Sequence, residues 1–194
     1  MHESFVSLSL EDYSKALASP AFAPGGGSAA ALCAALAAAL LSMSRSLGCE
    51  DKAVRDSEEL REALMELVDE DSAAFAPVAD AWKLPADAPH RAEALEKAHA
   101  GAAALPLRLM RLCGRLIALC EEMRDKCGKN LLSDVAVSAA LSRSVLCAAA
   151  VNVRANTFYM KEAASLNREA DRLLEEYAPR ADRVFSDIYA HLER

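Results

Sequence analysis

The stretch AAALCAALAAALL at residues 29–41 decides the fold of this chain. Its thirteen residues are all apolar, so a helix formed by them has no polar side to turn towards water. A transmembrane helix needs about 20 such residues, which this run does not reach. We therefore expect a central helix that is buried among others, with alanines that let its neighbours approach closely.

The composition of the whole chain also favours helices. Val, Ile and Thr, the β-branched residues that strands prefer, together number only 13 of 194 residues, whereas Ala and Leu are abundant. Hydrophobic residues make up 53% of the chain, which excludes a disordered protein. The sequence predicts an all-α fold with a single domain over residues 1–194, built as a multihelical bundle of about six main helices.

Start and stop signals place these helices along the chain. Ser28 and Ser133 are the predicted amino-terminal caps of the second and fifth helices. Pro77, Pro106 and Pro179 lie inside the third, fourth and sixth helices, where we expect kinks, and at Pro179 a break. The six helices are expected at about residues 9–18, 28–47, 50–84, 87–128, 133–156 and 159–191.

Charge and cysteine spacing exclude several classes of function. A net charge of −7 disfavours nucleic-acid binding, which requires a basic surface. Cys113, Cys120 and Cys127 recur every seven residues, about 10 Å apart along one helix, which is too far for a disulfide or a shared metal ion. The four histidines form no metal-binding pair. We expect reduced thiols, no metal and no membrane segment, in a cytoplasmic protein.

One acid breaks the apolar stripe of the third helix. Leu60, Leu64, Leu67 and Val78 share one helical face, and Asp71 occupies the same face between them. A buried carboxylate is costly, and burial raises its pKa towards the range useful for proton transfer. Asp71 is therefore a candidate catalytic acid or base. From the residues alone, the alternative is a structural hydrogen bond to a neighbouring helix end, which is the commoner reason for such a pattern.

Two other features could line a binding site. Asn152 and Asn156 lie four residues apart on an otherwise apolar face, and their amides could read the edge of a heterocycle or simply bond another helix. Gly25, Gly26 and Gly27 precede Ser28 at the start of a helix, where a backbone can approach a ligand closely. A plain flexible turn is the alternative for the glycines.

Taken together, these segments resemble the formiminotransferase-cyclodeaminase C-terminal domain family of one-carbon folate metabolism. The resemblance rests on motifs that occur in family order over most of the chain. They are PGGGSAA at 24–30, VDEDSAAF at 68–75, KLP at 83–85, ALPL at 104–107, NLLSD at 130–134 and NVRAN at 152–156.

The resemblance implies an all-helical homodimer that acts on a tetrahydrofolate derivative without a cofactor. It implies that Asp71 is the catalytic residue of a 5-formiminotetrahydrofolate cyclodeaminase, an ammonia-releasing enzyme of histidine degradation. The alternatives are a 5,10-methenyltetrahydrofolate cyclohydrolase and a non-catalytic folate-binding helical module. The substrate-binding residues that it implies are Gly25, Gly26, Gly27, Ser28, Lys83, Asn130, Ser133, Asp134, Asn152, Arg154 and Asn156, with Lys161 a further cation for the glutamyl tail.

Overall fold

A computed structural model describes residues 4–43 and 51–192 of the chain. Within these ranges the secondary structure consists of six α-helices and short 3-10 turns at Phe5–Ser7 and Lys129–Leu131. The all-α fold predicted from composition is confirmed. The helices are α1 (Leu10–Leu17), α2 (Gly26–Ser42), α3 (Asp51–Lys83), α4 (Arg91–Lys126), α5 (Leu132–Thr157) and α6 (Ala164–Leu192).

Helix α2 is the buried element that its composition predicted. It packs between α3 and α5, while α4 closes the bundle opposite it and α6 lies against α4 and α5. Ala31, Ala34, Ala37 and Ala38 are fully buried. The Ser138 hydroxyl of α5 donates a hydrogen bond of 2.9 Å to the carbonyl of Ala37. A polar side chain therefore reaches the α2 backbone directly, which the small alanine side chains permit.

Several predicted helix ends are wrong. Gly25, not Ser28, is the amino-terminal cap of α2, and Leu131, not Ser133, is that of α5. Helix α6 begins at Ala164, since residues 158–163 form a turn after α5. It runs through Pro179 without the predicted break. The expected end of the second helix and start of the third, at 47 and 50, lie outside the described residues.

The acids beside Asp71 have structural partners rather than only solvent. Asp69 accepts hydrogen bonds from the Ser4 hydroxyl at 2.5 Å and from the Phe5 backbone N–H at 2.7 Å. Glu70 forms an ion pair of 2.8 Å with Arg108 on α4. Asp69 thus fastens the amino-terminal segment onto α3, and neither acid points into the space beside α2.

Two other expectations need revision. Cys33, Cys113, Cys120 and Cys147 are free thiols, but Cys127 is disulfide-bonded, so the prediction of reduced thiols throughout is wrong. Helix α5 is long and apolar enough to cross a membrane by length and composition, with 44% of its most apolar window buried in the bundle. Because the core helix of a helical bundle passes the same test, this is weak evidence for a membrane segment.

Candidate active site

A cavity of about 600 Å³ opens where the start of α2, the middle of α3 and α4, and the end of α5 meet. The wall is mainly apolar and aromatic, with a few polar groups, as is usual for small-molecule sites. It is formed by Ala21, Phe22, Gly25, Gly26, Gly27, Asp71, Ser72, Phe75, Val78, Trp82, His99, Ala102, Pro106, Asn152, Ala155, Asn156 and Tyr159.

The carboxyl group of Asp71 lies directly on the first turn of α2. A Cβ atom at Gly27 would stand 2.0 Å from Asp71 Oδ1, and one at Gly25 would stand 3.9 Å from Oδ2. Only a glycine at position 27 leaves room for the carboxyl group in this place. The glycine motif and Asp71, which were identified separately in the sequence, are therefore in direct contact in the structure.

The environment of Asp71 shifts its pKa. Burial raises the pKa of the carboxyl above its usual range, and the hydrogen bond from the Ser28 backbone N–H works in the opposite direction. The positive end of the α2 dipole also favours the ionised form. Since burial is the larger effect, Asp71 holds its proton to higher pH than an exposed aspartate and can both give and take a proton.

Two polar side chains, those of Ser28 and Tyr13, stabilise the first turn of α2 where it contacts Asp71. Ser28 is fully buried, and its hydroxyl shares a hydrogen bond of 2.9 Å with the phenol of Tyr13 on α1. Burial raises the pKa of the Tyr13 phenol, so the phenol is neutral at pH 7. The pair fixes the α2 turn whose backbone N–H reaches Asp71. Ser28 does not line the cavity itself, so its predicted contact with substrate is replaced by a supporting position in this structure.

The two asparagines of α5 line the same cavity as Asp71. A Cβ atom at Gly26 would stand 3.8 Å from Asn152 Oδ1, so this amide borders the same glycine turn. The Asn156 amide donates a hydrogen bond of 3.0 Å to the Asn152 carbonyl, which leaves the Asn156 side-chain oxygen as an acceptor. Three predicted elements, the glycine turn, Asp71 and the asparagines, thus meet in one cavity.

The far end of the cavity is aromatic. The rings of His99 and Tyr159 stack with centroids 4.9 Å apart, and Trp82 meets Tyr159 edge-on at 5.5 Å. Nearer to Asp71, Phe22 and Phe75 stack at 6.4 Å. Flat surfaces of this kind suit a planar heteroaromatic ligand.

The other predicted binding residues lie outside this cavity. Lys83 forms an exposed ion pair of 2.8 Å with Asp80, and Arg154 pairs with Asp171 on α6 at 2.6 Å. The Lys161 backbone N–H donates to Glu96. The structure does not bring these cations to Asp71.

The motif at the start of α5 is also distant within one chain. Asn130 and Ser133 are exposed and Asp134 is partly exposed. Ser133 and Asn152 are separated by 19 positions on one helix, or about 28 Å at 1.5 Å per residue. The prediction that Asn130, Ser133 and Asp134 share a site with Asp71 is not met by residues of a single subunit.

Sequence reasoning missed the aromatic residues and His99. Phe75, Val78 and Trp82 follow Asp71 at spacings of four, three and four, so their shared face could have been read from the helical period. Nothing in the sequence shows that His99 and Tyr159, from two other elements, converge on that face.

Metal-binding groups are not evident in the described part of the chain. There, His, Cys, Asp and Glu side chains form no group of three that could hold one ion. Whether the reaction needs a metal or another cofactor stays a prediction from the sequence.

Comparisons with known proteins identify the family of this chain. The formiminotransferase-cyclodeaminase family model matches residues 9–174. A methenyltetrahydrofolate cyclohydrolase from Methylorubrum extorquens is 30% identical over 197 residues, which cover 92% of this chain and 95% of that protein. The formimidoyltransferase-cyclodeaminase of Mus musculus is 31% identical over 98% of this chain, which corresponds to 39% of the mouse protein.

A solved structure shares the architecture. The crystal structure of formiminotetrahydrofolate cyclodeaminase from Thermotoga maritima matches with a TM-score of 0.81 and 27% identity, covering 96% of each chain. These relatives bear the names of enzymes of one-carbon folate chemistry. The chain therefore belongs to the formiminotransferase-cyclodeaminase family.

Proposed function

We propose that this chain is a 5-formiminotetrahydrofolate cyclodeaminase that forms 5,10-methenyltetrahydrofolate and ammonia, with Asp71 as its acid and base. The observation that carries the proposal is the Asp71 carboxyl group, which has a raised pKa and is seated on Gly27 at the wall of an aromatic cavity. A carboxyl group with a pKa shifted towards neutrality suits general acid–base catalysis.

The proposed reaction needs one group that moves protons in turn. N10 of the folate attacks the formimino carbon, and Asp71 takes the N10 proton and delivers it to the formimino nitrogen. The carbon is then tetrahedral, bonded to N5, N10 and an amino group. A second proton, drawn from solvent through Asp71, converts this amino group to ammonia as the carbon–nitrogen bond breaks. The product is the methenyl cation, whose charge the ionised Asp71 stabilises.

Asn152 and Asn156 are proposed to orient the substrate beside Asp71. Asn152 borders Gly26, and Asn156 is fixed by its hydrogen bond to the Asn152 carbonyl. Their amide groups offer both donors and acceptors, which suits the N–H and carbonyl groups of a pterin. The backbone of Gly25 to Gly27 lies against the same space without side chains to obstruct a ligand.

The second candidate reaction is 5,10-methenyltetrahydrofolate hydrolysis to 10-formyltetrahydrofolate. It is favoured by the Methylorubrum extorquens relative, which this chain matches along nearly its whole length. Here water attacks the methenyl carbon and Asp71 takes its proton; N5 then leaves with that proton, and the hydroxyl loses its own as the formyl group forms. The same carboxyl group serves both reactions, since both pass through a tetrahedral carbon between two nitrogens.

Binding of the glutamyl tail by Lys83, Arg154 and Lys161 remains part of the proposal. The ammonium of Lys83 and the guanidinium of Arg154 are each paired with a carboxylate at the surface. Exposed ion pairs are worth about 0–1 kcal/mol, so an anionic ligand could exchange for them at little cost. We further propose that the enzyme works in the cytoplasm, in histidine degradation, without a metal or cofactor.

A homodimer would bring the start of α5 to the site. Helix α2 has no charged residue, and its exposed face carries Cys33 and Leu36, which is 51% exposed. The adjacent face of α5 exposes Val137 and Val151, at 48% and 66%. We propose that two copies pack through this α2–α5 face about a two-fold axis.

An antiparallel packing of the two α5 helices accounts for the distant motif. The start of one α5 then lies beside the end of the other, so that Asn130, Ser133 and Asp134 border the cavity of the second copy. Val151→Glu is expected to yield a monomer by light scattering, because it places a charge in the apolar face. A variant that stays dimeric contradicts the α2–α5 interface.

The function is tested by giving the purified protein each folate in turn. We expect ammonia release from 5-formiminotetrahydrofolate together with the appearance of methenyl absorbance. Loss of methenyl absorbance from the methenyl substrate, above the uncatalysed rate, with no ammonia release from the formimino substrate would establish the cyclohydrolase instead. Folate binding without either turnover would establish the non-catalytic module and overturn the proposal.

A further inference from the structure

The imidazole of His99 is buried with no hydrogen-bonding partner. Its side chain is 3% exposed, and within the described residues neither Nδ1 nor Nε2 makes a hydrogen bond. Buried polar groups are nearly always paired, and an unpaired one costs about 1–3 kcal/mol. His99 lines the cavity, so a ligand is the partner that could satisfy it.

The surroundings of His99 define the shape of that ligand. Tyr159 stacks on the imidazole with an angle of 21° between the rings, and Trp82 stands edge-on to it at 82°. Tyr159 is 53% exposed and sits in the turn after α5. Movement of the exposed Tyr159 ring uncovers the imidazole nitrogens, whose hydrogen-bonding directions lie in the ring plane, so that the polar edge of a planar ligand can reach them.

The cluster is held from outside, which leaves its inner side for a ligand. The Arg91 guanidinium, which does not line the cavity, lies over the Trp82 ring at 5.2 Å and donates a hydrogen bond of 3.1 Å to the Leu84 carbonyl. Glu96 accepts hydrogen bonds from the backbone N–H groups of Lys161 and Glu162 at 2.9–3.0 Å, which fixes the turn that carries Tyr159. Neither anchor uses the imidazole of His99.

The charge of the cavity wall and the hydrogen-bonding groups of His99 suit one part of a folate better than the others. The cavity wall has no lysine or arginine among its described residues, so it does not suit the anionic glutamyl tail. The aminobenzoyl ring is flat but has no polar ring edge. The pterin is flat, uncharged and edged with N–H donors and a carbonyl acceptor, either of which can pair with an imidazole nitrogen.

We propose that Trp82, His99 and Tyr159 form the pterin subsite of the cavity, in which His99 hydrogen-bonds the amide edge of the pterin ring. This inference rests on the proposed folate function and revises one part of it. It orients the substrate with its pterin away from α2 and its N5–N10 region towards Asp71, so the glutamyl tail leaves at the other end of the cavity, and Lys83 and Lys161, which neighbour Trp82 and Tyr159 in the sequence, are then not its partners.

The test compares three ligands on the intact protein by calorimetry: 5-formyltetrahydrofolate, a tetrahydropterin without the benzoylglutamate, and p-aminobenzoylglutamate. His99→Phe keeps a buried aromatic ring but removes both nitrogens. We expect it to weaken binding of the first two ligands at least about tenfold, as for the loss of a buried hydrogen bond, and to leave p-aminobenzoylglutamate unchanged. His90→Phe, the same change at an exposed position, is the matched control.

Thermal unfolding separates ligand binding from packing. Because the imidazole nitrogens are unpartnered in the unliganded protein, His99→Phe should melt no lower than the wild type. His99→Gln, which retains a donor and an acceptor, should recover part of the tetrahydropterin affinity. If the phenylalanine variant fails to fold, His99→Gln is used for the binding test instead. Its affinity for the tetrahydropterin is then expected to lie between those of the wild type and His99→Leu.

Four outcomes would overturn the inference. Unchanged tetrahydropterin affinity in the histidine variants makes His99 a packing residue, and a selective loss of p-aminobenzoylglutamate binding makes the cluster the benzoyl subsite. A wild-type protein that binds no folate overturns the proposed function and this inference together. A wild-type protein that binds folate while His99→Phe binds it equally well overturns only the inference.

Discussion

Gly27→Ala is expected to disable the enzyme without replacing Asp71, the proposed proton-transfer group. The added Cβ would lie 2.0 Å from Asp71 Oδ1, whereas contacts under 3.0 Å essentially never occur and ordinary contact begins at 3.4 Å, so the carboxyl group must move by about 1.0–1.4 Å. A misplacement of about 1 Å at a reacting centre can cost roughly 100-fold in rate. We therefore expect turnover, followed by methenyl absorbance, to fall by about 100-fold or more.

The neighbouring glycine supplies the matched control. A Cβ at Gly26 meets only Asn152 Oδ1, at an ordinary 3.8 Å, so Gly26→Ala leaves Asp71 in place and should lose much less activity than Gly27→Ala, although its methyl group borders the cavity. Alanine is preferred over glycine within a helix by about 0.5–1 kcal/mol, so this variant should also fold stably. The two substitutions differ only in whether they displace Asp71.

A double variant tests whether Gly27 acts through Asp71. If it does, Gly27→Ala combined with Asp71→Asn should be little slower than Asp71→Asn alone, because both changes remove the same function. If folded Gly27→Ala protein keeps its activity within about threefold of the wild type, the claim that Gly27 positions the Asp71 carboxyl group is refuted.

Three further outcomes follow from the structure. Gly114→Ala should lower the melting temperature with little effect on the turnover of the folded fraction, because its Cβ would lie 2.6 Å from the Tyr177 ring, away from the cavity. Asp71→Asn should melt above the wild type at neutral pH. Burial raises the pKa of Asp71 in the folded state, so wild-type stability falls as pH rises from its unfolded to its folded pKa, and the difference in melting temperature should vanish at lower pH. Glu96→Gln should speed hydrogen exchange at the amides that Glu96 accepts from, beside Tyr159.

The sequence predicted the elements of the site that follow a helical period. Asp71 interrupts a stripe of leucines, and the uncharged run at 29–41 forms a buried helix, since both signals depend only on which face of a helix must leave water. The structure adds the contact between Asp71 and Gly27, which no spacing along the chain reveals.

Other features depend on tertiary packing and could not be predicted. Pro179 does not break α6: the residue is exposed, and so is Glu175, whose carbonyl loses its helical partner and can bond to water instead. His99 reads in the sequence as an ordinary polar residue of an alanine-rich helix. Only the structure shows that Trp82 and Tyr159 pack against its imidazole ring.

At the motif 130–134, the family resemblance and the geometry of a single chain disagree. It predicted Ser133 and Asp134 as site residues, yet within one chain they lie at the opposite end of α5 from Asn152. The two-fold contact proposed for the α2–α5 face would reconcile the two, because it would bring to each cavity the start of α5 from the other copy.

The most direct measurement compares wild-type protein, Asp71→Asn and Asp80→Asn for turnover of 5-formiminotetrahydrofolate and of 5,10-methenyltetrahydrofolate. Asp80 is an exposed acid on the same helix, so its variant controls for the chemical change alone. The account predicts that Asp71→Asn loses at least about 100-fold in rate with whichever substrate the wild type turns over, while Asp80→Asn stays near the wild type. Near-wild-type turnover of both substrates by folded Asp71→Asn would contradict the assignment of Asp71 as the proton-transfer group.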